Sequence, residues 1–318
     1  MSTVTWKVIK LVANEFQFDN LTTLRDKSRN DLEEIFDRAS QMEAHVESGT
    51  DLARGKIMGT LFFEPSTRTR LSFQAAMSRL GGDTIGFSSQ EGTSVQKGET
   101  LADTVRTVSK YVDVIVMRHP SEGSAELASE FASVPILNGG DGSANHPTQT
   151  LLDLYTIRKE LGNIDGTSIA LAGDLRYSRT TRSLARALTR YNVELILVSP
   201  PQLKMKDDLL YELKESGVQP TITEDLEETA ASADVLYATR IQKERFPDPA
   251  EYEKVSGSYE INRGLFEGDN DPLLMHPLPR VSEITPDVDD LQNAIYFDQA
   301  GNGVPVRMAL IALLLELS

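Results

Sequence analysis

The chain has 318 residues, 40% of them apolar and 25% charged, a formal net charge of -16 at pH 7 and no cysteine. That length exceeds what one hydrophobic core usually fills, so two domains of roughly 150 residues each are expected. The totals exclude disulfides and Cys-based metal or nucleophile sites, and the acidity argues against nucleic acid as a partner. No apolar run is long enough for a bilayer or a secretion signal, so no membrane partner is expected. The absence of cysteine is compatible with a reducing, cytoplasmic setting.

Residues 1 to about 28 carry little regular signal beyond the alternating Trp6-Lys7-Val8-Ile9. Ser28 or Asn30 then caps an amphipathic helix running to about Ser48, with Leu32, Ile35, Phe36, Ala39 and Met42 on one side. The run Ile57 to Phe63 reads as a buried strand. Pro65 breaks it, and Ser66 or Thr67 caps a helix whose apolar stripe continues through Leu71, Ala75 and Leu80. Thr84 to Phe87 is β-like, and Ser88 to Lys97 is polar. A helix from Gly98-Glu99-Thr100 to Lys110, a strand over Val112 to Met117, a helix over Glu122 to Phe131 and a strand over Val134 to Leu137 follow. This alternation describes an α/β fold of βαβ units around a parallel sheet.

Asn138-Gly139-Gly140-Asp141-Gly142 reads as the best break in the chain, and a long helix starts near Pro147. We expect domains over residues 1–145 and 146–302, with a C-terminal helix over 303–318 returning to the first. The second half repeats the architecture: strands over Thr167 to Ala172, Val193 to Val198, near Thr221, Val235 to Tyr237 and Leu273 to Met275, with helices between them. Pro247 to Pro249 interrupts, and Ile295 to Phe297 is the last strand candidate. Val304 to Leu317 is the final helix.

The stretch Phe62 to Arg70 stands at the centre of the functional reading. A strand feeding a helix start offers free backbone N–H groups, hydroxyls and the guanidinium groups of Arg68 and Arg70. That combination suits an oxyanion, most plausibly phosphate. Arg68 is assigned to the anion and Arg70 to a carboxylate or the surface. Arg118, Gly173-Asp174, Arg240 and His276 likewise follow strands, and in parallel α/β sheets ligands collect at the strands' carboxyl ends. His146, before Pro147 at a helix start, suits a neutral imidazole donating to a carbonyl oxygen; the alternative is a cap without chemistry. Gln149, one turn on, is placed to orient the same ligand. His119 is as readily structural as functional.

His146 and Asp153 are seven residues apart and no H-E-x-x-H occurs, so no metal site is expected. Gly173-Asp174 lacks the G-x-G-x-x-G turn, and neither a P-loop nor a G-x-S-x-G is present. Ser66 has only arginines for basic neighbours, which cannot take its proton. An enzyme that positions and polarises, without cofactor, remains. A non-catalytic anion-binding module and a scaffolding subunit are the rival classes.

The chain resembles the aspartate carbamoyltransferase catalytic chains of the transcarbamoylase family from about residue 55 onward. Seven phrases in order carry the likeness. They are Phe63-Glu64-Pro65-Ser66-Thr67-Arg68-Thr69-Arg70, Gln96 to Thr100, Met117 to Pro120, His146 to Thr150, Gly173-Asp174-Leu175 with Arg179-Thr180, Thr239 to Gln242, and His276-Pro277-Leu278-Pro279-Arg280. The related ornithine enzymes carry a cysteine after the last histidine, where this chain has Pro277. Arg179 and Arg240 suit two carboxylates and would repel a cationic side chain. The resemblance implies transfer of the carbamoyl group of carbamoyl phosphate to L-aspartate in pyrimidine biosynthesis.

The resemblance also implies roles. Ser66, Thr67, Arg68 and Thr69 would hold phosphate; Thr69, Arg118 and His146 would surround the carbamoyl oxygen. Gln149 and the Leu278 carbonyl, beside Pro279, would hold the NH2 group. Arg179, Arg240, Gln242 and Lys97 would face aspartate. Ser94 and Lys97 would come from a neighbouring subunit of a catalytic homotrimer, with the Ser94-to-Lys97 spacing one residue shorter than in some relatives. Residues 1–145 would bind carbamoyl phosphate and 146–302 aspartate. Some relatives join regulatory chains or other pathway enzymes.

Overall fold

The computed structural model describes residues 19–91, 93–142, 145–241, 259–268 and 270–318. The Trp6 to Ile9 segment, Gln242 and Pro247 to Pro249 lie outside them. The first half runs α1 (Arg29–Glu43), α2 (His45–Ser48), β1 (Ile57–Phe62), α3 (Thr67–Arg79), β2 (Asp83–Phe87), α4 (Leu101–Val108), β3 (Val114–His119), α5 (Ser124–Phe131), β4 (Ile136–Asp141) and α6 (Pro147–Leu161). The second runs β5 (Ser168–Gly173), α7 (Arg179–Leu188), β6 (Glu194–Val198), α8 (Asp207–Glu215), β7 (Thr221–Thr223), α9 (Leu226–Ala230), β8 (Val235–Thr239), β9 (Leu273–Met275) and α10 (Tyr296–Leu314).

Two parallel sheets result, a four-stranded one in the order β2-β1-β3-β4 and a five-stranded one in the order β7-β6-β5-β8-β9. The α/β expectation therefore holds. Each sheet reverses its winding direction once, between β1 and β3 in the first and between β5 and β8 in the second. Such switch points leave a crevice at the strand ends because the flanking loops depart to opposite faces.

Local chemistry explains most boundaries. Ser28 forms a reciprocal capping box with Asp31 at the start of α1. Thr100 and Ser178 accept the backbone N–H three residues on, at α4 and α7. Ser66 occupies the corresponding position at α3, yet its side chain makes no capping bond. α10 is buried along most of its length and packs against α1, α3 and α6, returning the C-terminus to the first sheet's helical layer.

Four expectations are corrected. The helix after Ser28 ends at Glu43, and a separate turn, α2, continues to Ser48. Leu71 is 52% exposed; Phe73, Ala76, Met77 and Leu80 form the buried stripe of α3 instead. Asn138 to Asp141 is no break but the carboxyl half of β4, buried throughout. Asn138 still pairs with Met117, and its side chain ties down the irregular stretch that follows, donating to the Thr22 carbonyl at 2.8 Å and the Asp141 carboxylate at 3.0 Å. Finally, Ile295 to Phe297 opens α10. Its one strand-like feature is the Ile295 amide, which donates to the Leu274 carbonyl at 3.0 Å just before the helix starts.

Candidate active site

Both switch points open onto one cavity of about 360 Å³ between the two sheets. The Ser66-to-Thr69 turn enters it from the end of β1, and Arg118 from the end of β3. Arg179 arrives from the first turn of α7, Arg240 from just after β8, and Leu278 and Pro279 from the segment after β9. His146 and Gln149 line it from the start of α6. Twelve of the residues singled out in the sequence thus meet in a single space: Ser66, Thr67, Arg68, Thr69, Arg118, His146, Gln149, Arg179, Arg240, His276, Leu278 and Pro279.

The cavity is built for negative charge. The Arg68 guanidinium is shifted below its ordinary value by partial burial and by the charges of Arg118 and Arg240. Cations that raise one another's energy in this way are relieved by an anion placed among them. Because Ser66 leaves its capping role unfilled, its hydroxyl and the first N–H groups of α3 add neutral donors at the same end. Arg118 donates to Glu64 at 3.0 Å and more weakly to the Gly139 carbonyl at 3.4 Å, so it is tethered at the cavity wall.

His146 is buried at the N-cap position of α6, with Nε2 at 3.5 Å from the Thr69 hydroxyl. Burial, and then the charges of Arg179, Arg118 and Arg307, hold its imidazole well below the usual histidine range. It is therefore neutral at pH 7 and available as a hydrogen-bond donor. Gly140, on β4, makes room for this arrangement. A Cβ there would stand 3.0 Å from Arg118 Nη1 and 3.4 Å from both Arg179 Nη2 and the His146 ring, and its φ of 117° suits only glycine.

The opposite wall is pinned by polar contacts. The His276 amide donates to Gln299 Oε1 at 2.8 Å, and the Leu278 amide donates to His276 Nδ1 at 2.9 Å. Leu278 itself adopts φ 53°, a conformation that costs a non-glycine residue of order 1 kcal/mol and is kept only where the surroundings impose it.

Some residues fall elsewhere. Ser94 and Lys97 lie on an exposed 3₁₀ turn and do not line the cavity of their own chain. Gln242 is outside the described residues. Asp174 is buried and accepts the Tyr177 amide at 2.8 Å, so it shapes the turn after β5. His119 accepts the Ser121 amide and packs against Phe63. Sequence reasoning missed Gln299 and Arg307, which line the cavity from α10. Their signal was available: polar residues interrupting an otherwise apolar helix that is buried along its length.

The sequence matches the family profile "Aspartate/ornithine carbamoyltransferase, carbamoyl-P binding domain" over residues 19–159 and the profile "Aspartate/ornithine carbamoyltransferase, Asp/Orn binding domain" over 165–314. The aspartate carbamoyltransferase catalytic subunit of Thermococcus gammatolerans is 57% identical over 299 residues, 93% of this chain and 97% of that one. The catalytic subunit of M. jannaschii aspartate transcarbamoylase superposes with a TM-score of 0.89 at 52% identity, covering 94% of this chain and 98% of the other. The Trypanosoma cruzi enzyme in complex with N-(phosphonacetyl)-L-aspartic acid gives a TM-score of 0.83 at 41% identity, covering 92% and 94%.

Proposed function

The chain belongs to the aspartate/ornithine carbamoyltransferase family, and from that premise we propose that it transfers the carbamoyl group of carbamoyl phosphate to the α-amine of L-aspartate. The products are N-carbamoyl-L-aspartate and phosphate, an early step of pyrimidine synthesis in the cytoplasm. The observation that carries this reading is the convergence of Arg68, Arg118, Arg179 and Arg240 from both sheets on one cavity. Carbamoyl phosphate and aspartate are both anions, and a cavity so charged attracts a dicarboxylate while repelling the cationic side chain of ornithine.

In this proposal residues 1–145 bind carbamoyl phosphate and 146–302 bind aspartate. Ser66, Thr67, Arg68, Thr69 and the first N–H groups of α3 hold the phosphate. Gln149 and the Leu278 carbonyl receive the NH2 group. Arg179 and Arg240, with Gln242, take the aspartate carboxylates. The uncharged amine attacks the carbonyl carbon, and negative charge gathers on the carbonyl oxygen beside Thr69, Arg118 and His146. One such donor typically contributes about 3 kcal/mol to lowering the barrier. Holding the two reactants in reactive geometry contributes up to about 7–11 kcal/mol in favourable systems. The C–O bond to phosphate then breaks, and the departing phosphate accepts the amine's proton, so no separate protein base is required.

The same proposal includes a catalytic homotrimer. Ser94 and Lys97 sit on the exposed side of the first domain, away from their own cavity, as a loop donated to a neighbour requires. Lys97 would add its charge to the aspartate side of that neighbour's site. A panel assay tests the reading: carbamoyl phosphate is supplied with L-aspartate, ornithine and other amines, and products are identified by mass. Formation of carbamoyl-aspartate alone is expected. Carbamoylation of a different amine, or none, overturns it.

A further inference from the structure

We propose that Asp153 is a positioning residue that turns the side-chain amide of Gln149 so that its carbonyl oxygen faces the reacting carbamoyl group. The inference rests on the reading above, in which Gln149 receives the carbamoyl NH2. Asp153 lies one helical turn beyond Gln149 on α6, is fully buried and does not line the cavity. Its carboxylate accepts from Gln149 Nε2 at 2.9 Å, from Gln299 Nε2 at 2.6 Å and from the Tyr237 hydroxyl at 2.9 Å.

An ionised carboxylate can only accept, so it selects the NH2 end of the Gln149 amide and leaves Oε1 for the cavity. The selection matters because the two ends of an amide are nearly equal in shape and opposite in hydrogen-bonding character. Turned the other way, Gln149 would present donors to the donors of a carbamoyl NH2, and neither would be satisfied. The same carboxylate fixes Gln299, whose Oε1 in turn accepts the His276 amide. One buried group therefore couples Gln149 to the turn carrying the Leu278 carbonyl, so the two acceptors assigned to one NH2 are positioned together.

Burial pushes the Asp153 carboxyl up to about 7 even though its three donors and Arg307 work in the opposite direction. The titratable and charged groups facing it from the packed elements are Tyr237 on β8 and Arg307 on α10. Burial holds the Tyr237 hydroxyl well above its ordinary value, so it stays a donor, while Arg307, lowered to about 10 by burial, stays charged at neutral pH. Protonating Asp153 neutralises the carboxylate and weakens Oδ1 as the acceptor for Gln149, and a proton on that oxygen would reverse the preference. Loss of kcat on the acid side is the consequence.

The test measures kcat, KM for carbamoyl phosphate and inorganic phosphate binding in Asp153→Leu, which removes the acceptor shared by Gln149 and Gln299, in Gln149→Ala and in the double variant. Asp153→Leu is expected to lower kcat about 10- to 100-fold, with phosphate affinity within about twofold of wild type. In the Gln149→Ala background the second substitution should add less than about twofold, since the group it acts through is gone. Unchanged kcat, or losses that multiply, overturn the inference. Should Asp153→Leu not fold, Tyr237→Phe decides. Removing that donor raises the Asp153 titration, so the acid limb of kcat moves to higher pH; an unmoved limb overturns the inference. An unmodified chain that makes no carbamoyl-aspartate counts against the functional reading instead, whereas an active one with an indifferent Asp153→Leu counts against Asp153 alone.

Discussion

The hydroxyl of Thr69 and Nε2 of His146 stand 3.5 Å apart, although the two residues are separated by 77 positions in the chain and by most of the first sheet. The first turns of α3 and α6 are brought side by side because β1 and β4 flank β3. In the proposed reaction the carbonyl oxygen gains its charge between them. Replacing His146 with alanine should lower kcat by roughly 100- to 1,000-fold while leaving phosphate binding largely intact, as steady-state kinetics and a phosphate-induced thermal shift would reveal.

The same histidine gives a stability signature. Its folded-state value lies well below 6.5, so between the two values the unfolded chain binds a proton that the native protein does not. Stability contributed by this group is complete above the ordinary histidine range and is lost as pH falls through it. His146→Ala should flatten that part of the stability–pH curve, measured by denaturant unfolding from pH 7 to pH 5. A slope equal to wild type would show that His146 is not held neutral.

Arg68 and Arg240 enter the cavity from different sheets, which predicts a division of labour. Arg68→Ala should chiefly weaken carbamoyl phosphate and phosphate binding, and Arg240→Ala should chiefly raise KM for aspartate, each by 10-fold or more, on the order of 1.4 kcal/mol or above. Equal loss of both substrates in both variants contradicts the assignment.

Lys97 is exposed and does not line its own cavity, so the proposed shared site is open to complementation. Lys97→Ala and Arg68→Ala chains, each nearly inactive alone, should regain activity when mixed under conditions that exchange subunits. Mixed oligomers with no activity above the separate variants would favour a site completed within one chain.

Gly140 offers a structural test beside the cavity residues Arg118, Arg179 and His146. Gly140→Ala introduces a Cβ against Arg118, Arg179 and His146 at a backbone conformation alanine resists. Destabilisation by more than about 1 kcal/mol is expected, together with reduced activity, since Arg118 Nη1 must give way at 3.0 Å. Thermal unfolding and kcat measured on one preparation would check both.

Much of this was legible in the sequence because it is local. Ser28, Thr100 and Pro147 set helix starts through short-range hydrogen bonding and fixed φ, and apolar runs such as Val114 to Met117 declare buried parallel strands. Arginines after strand ends marked the site before any geometry was known, since a parallel sheet delivers those ends to one side. What sequence could not decide was set by packing between distant segments. Asn138-Gly139-Gly140-Asp141 has the composition of a turn and becomes a buried strand because Thr22 and Met117 pair with its polar groups. Leu71 fits the helical period, yet points to solvent because the core lies on the face of Phe73 and Met77. Nothing near Gln149 in sequence reveals that Gln299 and Tyr237 share its carboxylate partner: hydrogen bonds between residues this far apart exist only once α6, β8 and α10 have closed around Asp153.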